Sequence, residues 1–481
     1  MTQEVAQLQK MVHDLIQANQ KLQAEVDFFK RQIFGKKSER FIPTPGQLVL
    51  EGLDVAAEPG LMPSQGNLPA LSKPEKQKPV RKPIDESKFE VITQELHPEV
   101  DLEELAFIGV EESSYKVLVD AKIVIKKIKR YKYQKPSGEI IIADMPYRPF
   151  AKSAVSSSIV SEVLVQKYVD AMPIYRQEKA WNRLGVDFAY SSLSDMQTMG
   201  YDLIKPLFEA FKKSILASSY LQVDESPFKV LSSEKKGASH LGYQWVYLDP
   251  VSELVFYNYQ RGRSEQHPLE MLKDFKGIIQ TDGYAGYNKV AQKENIEQLF
   301  CMAHARRYFE RALSNDPDRA TFFLEEVKKL YLIESHIKEK HLQGTDKTAY
   351  RQRHAKPVLE LIGTWLDQNW AQTTPKSTIG KAIQYSRERW QGLSAYVEFD
   401  HVQIDNNAVE RSIRPMVVGR KNYLFAGSDQ SAERAACFYS FFITCRMHNV
   451  NPKAWVNDVF EKIEHLKPSQ YHTLFPQNWG K

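Results

Sequence analysis

Apolar residues recur every seven positions at the start of the chain. Val5, Val12, Val26 and Ile33 form one series, interrupted by Asn19, and Leu8, Leu15, Leu22 and Phe29 form a second, offset by three. These are the a and d positions of a coiled coil, predicted over residues 1–40. Mostly β-branched a positions with mostly Leu at d favour a parallel dimer, and the Asn19 amide is best satisfied by its twin across the seam. An amphipathic helix packed on its own domain has the same period, so the pattern names no function. Gly35 ends the helix. Residues 41–85 are rich in Pro, Gly and charge and read as a flexible linker; its run KPEKQKPVRKP suits phosphates and a solvated tether equally well.

The period then shortens to two. Within residues 86–150, YKVLVDAKIVIKKIKRYKY and EIIIADMPY flank KPSG, which predicts a β-hairpin in a β-rich domain. Lys126, Lys127, Lys129, Arg130 and Lys132 interleave there with Tyr131 and Tyr133, a DNA-facing strand or a solvated basic face. Residues 151–215 turn helical. SSIVSEVLVQKYVD is amphipathic, the next helix begins near Pro173 and stops at Gly185, and Ser191 or Ser192 is the expected N-cap of a third. Helices joined by a Gly-containing turn suggest a helix-turn-helix. From Ser218, SYLQVDESPFKVL, YQWVYLDP and ELVFYNYQ read as three strands. A helix, EQHPLEMLKDF, precedes a fourth strand, KGIIQTDGY, and IEQLFCMAH is the fifth. That is the order of an RNase H-like core, begun in residues 216–301, interrupted by an all-helical insertion over 302–398 and completed by helices over 399–465, with a C-terminal tail at 466–481. The chain as a whole is thus expected to be a multidomain α/β protein.

Composition narrows the class. The 481 residues exceed one ordinary core, and 42% hydrophobic with 26% charged residues is normal for a soluble globular protein. A net charge of +5 is compatible with a polyanionic partner without requiring one. Cys301, Cys437 and Cys445 form no CxxC pair, which argues for a reducing cytoplasm and against a disulfide framework. The polar N-terminus lacks a signal-peptide core, and no stretch approaches the roughly 18 apolar residues of a membrane span. The expected location is cytoplasmic, beside the nucleoid.

Two carboxylates stand at strand ends: Asp224 after LQV, and Asp282 after GII and before Gly283. A carboxylate there must be paired, exposed in a cleft, or on a metal. Pro227 is expected to end the regular pairing of the first strand nearby. Side by side, the two acids repel each other unless divalent cations intervene. Glu410, in DNNAVER, falls in the first turns of a helix beside Val409 and Ile413, whose spacing faces the core. Asn407-x-x-Glu410 also fits a capping box, in which the Glu only bonds backbone; the pattern leaves both roles open. Three carboxylates suit Mg²⁺ or Mn²⁺, and two such ions activate a nucleophile and stabilise a leaving oxygen in phosphodiester displacement. Arg411, Arg414, Arg420 and Lys421 crowd the same helix, and Arg306 and Arg307 another; all are candidate phosphate contacts, with a solvated helix face as the alternative. Cys301-x-x-His304 is half of a zinc pattern without a second half.

These stretches together resemble the insertion sequence 66 family of bacterial DDE transposases. QIFGKKSER resembles the end of the family's zipper, and KYVDAMPIYRQEKAWNRLGVDFAYSSLSDM its helix-turn-helix region. VDESPFKV, QTDGYAGY and CMAHARRYF are similar to the two acidic strands and the helix after them. DNNAVERSIRPMVVGRKNYLFAGS is the most specific match and selects Glu410 as the third acid. The resemblance implies binding of terminal inverted repeats, metal-dependent cleavage and strand transfer by 3′-hydroxyl attack. It implies catalytic and metal-ligating roles for Asp224, Asp282 and Glu410 with two Mg²⁺ or Mn²⁺, a zipper homodimer, accessory proteins of the element, and a local structural role for Cys301 and His304. Relatives usually carry a cysteine-rich zinc segment after the zipper. Here residues 90–140 have no cysteine, so no structural zinc is expected. An inactive DNA-binding regulator and a purely hydrolytic nuclease of the same fold are the alternatives.

Overall fold

The structure, a computed structural model, describes residues 147–150, 153, 155–231 and 238–480, and the backbone of two short strands, β1 (Lys132–Gln134) and β2 (Ile140–Ile142). These strands pair antiparallel with Lys132 opposite Ile142; the KPSG stretch between them lies outside the described residues. The heptad segment, the linker, most of residues 86–150, and with them Lys129 and Arg130, lie outside the described residues.

Three helices follow: α1 (Ser157–Tyr168), α2 (Ile174–Arg183) and α3 (Tyr190–Leu216). α2 stops where Gly185 takes φ +77°, its N–H returning to the Asn182 carbonyl at 3.0 Å, a left-handed stop that glycine adopts without strain. The third helix starts earlier than its Ser residues predict. α3 begins at Tyr190 with Ala189 as N-cap, so Ser191 and Ser192 lie inside its first turn. That end is exposed, so its free N–H groups are open to solvent and need no side-chain cap.

The sheet has the expected strand sequence. β3 (Tyr220–Leu231), β4 (Ser239–Asp249) and β5 (Leu254–Gln260) form an antiparallel meander. α4 (Gln266–Met271) leads to β6 (Gly277–Thr281), and α5 (Asn288–Ala291) to β7 (Ile296–Phe300). The order is β5-β4-β3-β6-β7, with β6 parallel to β3 and β7 parallel to β6. Gly277 opens β6 at φ +137°, where an added Cβ would lie 2.2 Å from the Ser219 carbonyl oxygen. Only glycine lets the backbones close there.

One expectation about β3 fails. Pro227 stays in register opposite Tyr243, and pairing with β4 continues to Leu231. What ends early is the other edge, whose pairing with β6 stops at Gln222. The missing N–H is tolerated because no strand occupies that edge beside Pro227.

After β7 come α6 (Met302–Ala312), α7 (Pro317–Glu339), α8 (Gly344–His354), α9 (Lys356–Trp370), α10 (Thr378–Glu388) and α11 (Trp390–Ser394), then α12 (Asn407–Tyr423), α13 (Asp429–Met447) and α14 (Pro452–Lys462). Alternation along the central strands sends side chains to two cores. Leu221, Val223 and Ile279 pack with residues of α1, α3, α13 and α14. Tyr220, Ile278 and Leu299 pack with α6, α7, α9 and α10. α13 is buried on nearly every side and covers the free edge of β5. Its Ser440 and Thr444 hydroxyls accept the N–H groups of Tyr257 (2.8 Å) and Val255 (3.3 Å), removing an edge that would otherwise pair with another chain. Among the described residues no helix is long and apolar enough to cross a membrane.

Candidate active site

The parallel register sets Gln222 of β3 beside Gln280 of β6. Two residues further along each strand stand Asp224 and Asp282, so both acids emerge at the same level, just past the last paired rung. The repeated Gln-x-Asp has a structural reason. Tyr220 donates its hydroxyl to Gln280 Oε1 (2.6 Å), and Gln280 Nε2 donates to the Gln403 carbonyl (2.8 Å). Gln222 Nε2 donates to the Asp405 carbonyl (2.9 Å), while Gln222 Oε1 accepts the Val409 N–H (3.2 Å). The glutamines thus tie the acidic strands to the start of α12.

Asp224 Oδ1 accepts the N–H of Glu225 at 2.8 Å. Burial, with the carboxylates of Glu225 and Asp282 beside it, pushes the Asp224 pKa well above the usual carboxylate range. Glu225 points the other way and has a different role. Its buried carboxylate accepts Arg263 Nε at 2.7 Å and the Tyr287 hydroxyl, and the Arg263 guanidinium lies 3.7 Å from the Tyr284 ring centroid. Asp282 Oδ1 accepts the Tyr284 N–H (2.8 Å), and the Asp282 carbonyl accepts the Tyr385 hydroxyl from α10 (2.5 Å). α10 therefore buttresses the second acid.

Glu410 lies in the first turn of α12, with Val409 and Ile413 buried as their spacing required. Asp405 supports that turn, accepting the Asn407 N–H (3.1 Å) and the Tyr331 hydroxyl (2.8 Å). Glu410 is not a backbone cap. Arg307 of α6 grips it with both arms, Nη1 to Oε1 at 3.0 Å and Nη2 to Oε2 at 2.7 Å. His304 Nε2 lies 3.6 Å from Glu410 Oε1 and 3.2 Å from Arg307 Nη1. Burial and the Arg307 charge lower the His304 pKa, and its buried Nδ1 has no hydrogen-bond partner among the described residues. The Cys301 Sγ accepts the Asn406 N–H at 3.3 Å and so anchors the base of α12; burial pushes its thiol pKa up.

The acids share one end of the sheet without forming a finished cage: among the described residues, no three His, Cys, Asp or Glu side chains converge on a point. The donor set nevertheless fits a hard divalent cation, being all oxygen, with Asp224 held among like charges and without a cationic partner among the described residues. Of the candidate phosphate contacts, Arg411, Arg414 and Lys421 are exposed on α12. Arg420 is anchored to β3 through Ser226 Oγ (2.9 Å) and the Pro227 carbonyl. Arg306 pairs with Glu310 (2.8 Å), and Arg307 is taken by Glu410. Sequence reasoning missed the glutamine network and Glu225. The signal for the first was present in Gln222-Val-Asp224 and Gln280-Thr-Asp282.

Residues 152–434, more than half of the chain, match the family described as "Transposase IS66 family", and residues 21–87 match one described as "Transposase C of IS166 homeodomain". Three proteins of Sinorhizobium fredii (strain NBRC 101917 / NGR234) are similar, each described only as uncharacterized. The protein y4hP is 28% identical over 70% of this chain and 64% of its own length. The protein y4jD is 27% identical over 99% of this chain and 96% of its own length, and y4qI is 25% identical over 99% and 92%. The chain thus spans just under two thirds of y4hP and nearly all of the other two.

Proposed function

The chain belongs to the IS66 family of transposases, and from that premise we propose that Asp224, Asp282 and Glu410 form the centre at which it cuts and joins DNA. DNA transposition and DNA binding follow from the family; the site and its chemistry are our reading. The observation that carries it is the parallel register of β3 and β6, which puts two carboxylates level at the open end of the sheet, with the third on a helix tied to β3 by Gln222. The strand order, with a meander followed by two parallel strands and a helical insertion before the last acid, supports an RNase H-like core.

The three carboxylates would supply oxygen ligands to two Mg²⁺ or Mn²⁺ ions. When bound, such ions favour the deprotonated nucleophile and neutralise charge developing on the leaving oxygen. Arg411, Arg414 and Lys421 would hold phosphates beside the site. In joining, a terminal 3′-hydroxyl oxygen bonds to a target phosphorus and gives its proton to solvent, while the bond from that phosphorus to the target's 3′ oxygen breaks and that oxygen takes a proton from solvent. The heptads of residues 1–40 would pair two protomers, so that two terminal inverted repeats are held together. A duplex carrying the element's terminal repeat, incubated with plasmid, is expected to yield joined DNA with Mg²⁺ or Mn²⁺ and none with EDTA. Nicks without joining, even with the element's accessory proteins present, would reduce the protein to a nuclease.

The grip of Arg307 on Glu410 has a direct consequence. Glu410 must release that fork to reach a metal, so Arg307 competes with the cation. Arg307→Gln is expected to bind Mn²⁺ several-fold more tightly in calorimetric titration without DNA. Unchanged affinity would mean that Glu410 is not a ligand or is not restrained.

A further inference from the structure

A second site lies at the far end of β3. Asp224, Ser226 and Phe228 share one face of this strand, because alternate residues point the same way. At about 3.3 Å per residue, Phe228 sits roughly 13 Å beyond Asp224. Between them Arg420 bonds Ser226 Oγ. Phe228 lines a cavity of about 360 Å³, whose other walls come from α1, α2, α3, the turn after α12 and the start of α13.

Among the described residues two cations line this cavity and no acid does. Lys167 Nζ lies 5.6 Å and 5.5 Å from the ring centroids of Tyr168 and Tyr423. Among the described residues it has neither a hydrogen bond nor an ion pair, and burial, with Arg434 nearby, lowers its pKa to about 8. Arg434 spends one bond on Ser431 Oγ (2.8 Å), and its buried Nε has no partner among the described residues. Two half-buried like charges lining one cavity, with no counter-ion among the described residues, favour the arrival of an anion.

The mouth is aromatic and exposed. Tyr175 is 46% exposed, Tyr190 54% and Phe425 42%. The rim itself is strained. Leu424 takes φ +66° and ψ −37°, and the Phe425 N–H returns to the Tyr423 carbonyl at 2.8 Å. This is a γ-turn of the rare positive-φ kind, uncommon for a leucine. It turns Leu424 outward, leaving it 65% exposed beside Phe425.

We propose that this cavity takes one unstacked nucleotide of the bound DNA, its base against the rim aromatics and its phosphate on Lys167 and Arg434. Aromatic rings serve any base, because each has a π-face, and guanidinium and ammonium groups suit the phosphate. A strand leaving the acids along β3 passes Arg420 and reaches the cavity after on the order of four phosphates at duplex spacing. The site would thus hold open the DNA flanking the reacting bond. The proposal rests on the transposase reading above.

The test is fluorescence anisotropy of the full chain with two labelled probes at one low salt concentration: a short oligodeoxythymidine and a duplex of arbitrary sequence. Lys167→Met, Tyr175→Ser and Phe425→Ala are each expected to weaken single-strand binding roughly tenfold, the worth of a lost stacking or phosphate contact. Duplex binding should stay within about twofold. Tyr175 and Phe425 are surface positions, so these two variants keep the test valid if Lys167→Met folds poorly. Single-strand binding unchanged in all three, or an equal loss for both probes, would overturn the nucleotide pocket and leave the transposase reading intact. A wild-type chain that binds neither probe would overturn both.

Discussion

Asp224→Asn is expected to lower strand joining by roughly a thousandfold or more, the scale on which groups that stabilise a developing charge act, and at the same time to raise the melting temperature measured in EDTA. The two effects have one origin. Asp224 is pressed by burial and by Glu225 and Asp282, so its folded-state pKa stands well above the unfolded value. The unfolded chain then holds fewer protons than the folded one in the window between those two values. Stability therefore falls as pH rises through that window, and holding this carboxyl where its charged form is disfavoured is a net cost above the unfolded pKa. Asn cannot ionise, and its Oδ1 can still accept the Glu225 N–H. A rise of about 1–3 °C is the expected scale for this relief. Mg²⁺ or Mn²⁺ should stabilise the wild type, because a ligand that binds only the folded state shifts the equilibrium toward it, and should stabilise Asp224→Asn much less. Scanning fluorimetry with and without metal reads both arms. A variant that melts lower in EDTA and keeps the wild-type metal shift would show that Asp224 is an ordinary structural carboxylate.

The largest loss of stability is expected from Arg351→Ala. Arg351 lies on α8, fully buried, and spreads its guanidinium over three partners. It holds Glu334 with both arms, at 2.9 and 2.7 Å. It also donates to the carbonyls of Tyr396 (3.1 Å) and Phe399 (2.5 Å). Removing it leaves Glu334 without its counter-ion and two carbonyls without donors, a loss of about 3–5 kcal/mol for a broken buried pair. The melting temperature should fall by roughly 5–10 °C. The held segment leads directly into Gln403, Asp405 and the start of α12, so proteolytic nicking should rise around residues 395–406. Arg351→Lys should recover only part of the loss, because an ammonium cannot bond a carboxylate bidentately and reach two carbonyls at once. Full recovery by Lys would mean that charge alone, without the fork, holds the insertion.

Much of this was legible in the sequence for local reasons. Period-two apolar runs ended by Asp224 and Asp282 announced strands with acids at their ends, and strand pairing then needed only the right register. Val409 and Ile413 oriented Glu410 through helical spacing alone. The Gly185 stop was equally local. The failures concern tertiary context. Pro227 forbids a ladder on one edge only, and sequence does not say which edge is free. Ser191 and Ser192 are good caps by type, but a solvated helix end has no need of one. The pairing of Arg307 with Glu410 joins residues 103 positions apart, beyond any local pattern. A basic side chain looks the same in sequence whether it meets DNA or an acceptor of its own chain: Arg306 and Arg307 are taken by carboxylates, and Arg420 by the Ser226 hydroxyl and the Pro227 carbonyl. The glutamine network was the readable exception, written twice as Gln-x-Asp before either acid.

The central claim is that Asp224, Asp282 and Glu410, from two strands and one helix, act as one site. Its most direct test is strand joining of a labelled element-end duplex into plasmid with Mn²⁺, comparing wild type with Asp224→Asn, Asp282→Asn and Glu410→Gln, with end binding measured in parallel. The account predicts that each variant binds the end as wild type does and joins none of it. Joining by Glu410→Gln at the wild-type rate would contradict it, leaving the Arg307–Glu410 pair a structural clasp and the third ligand elsewhere.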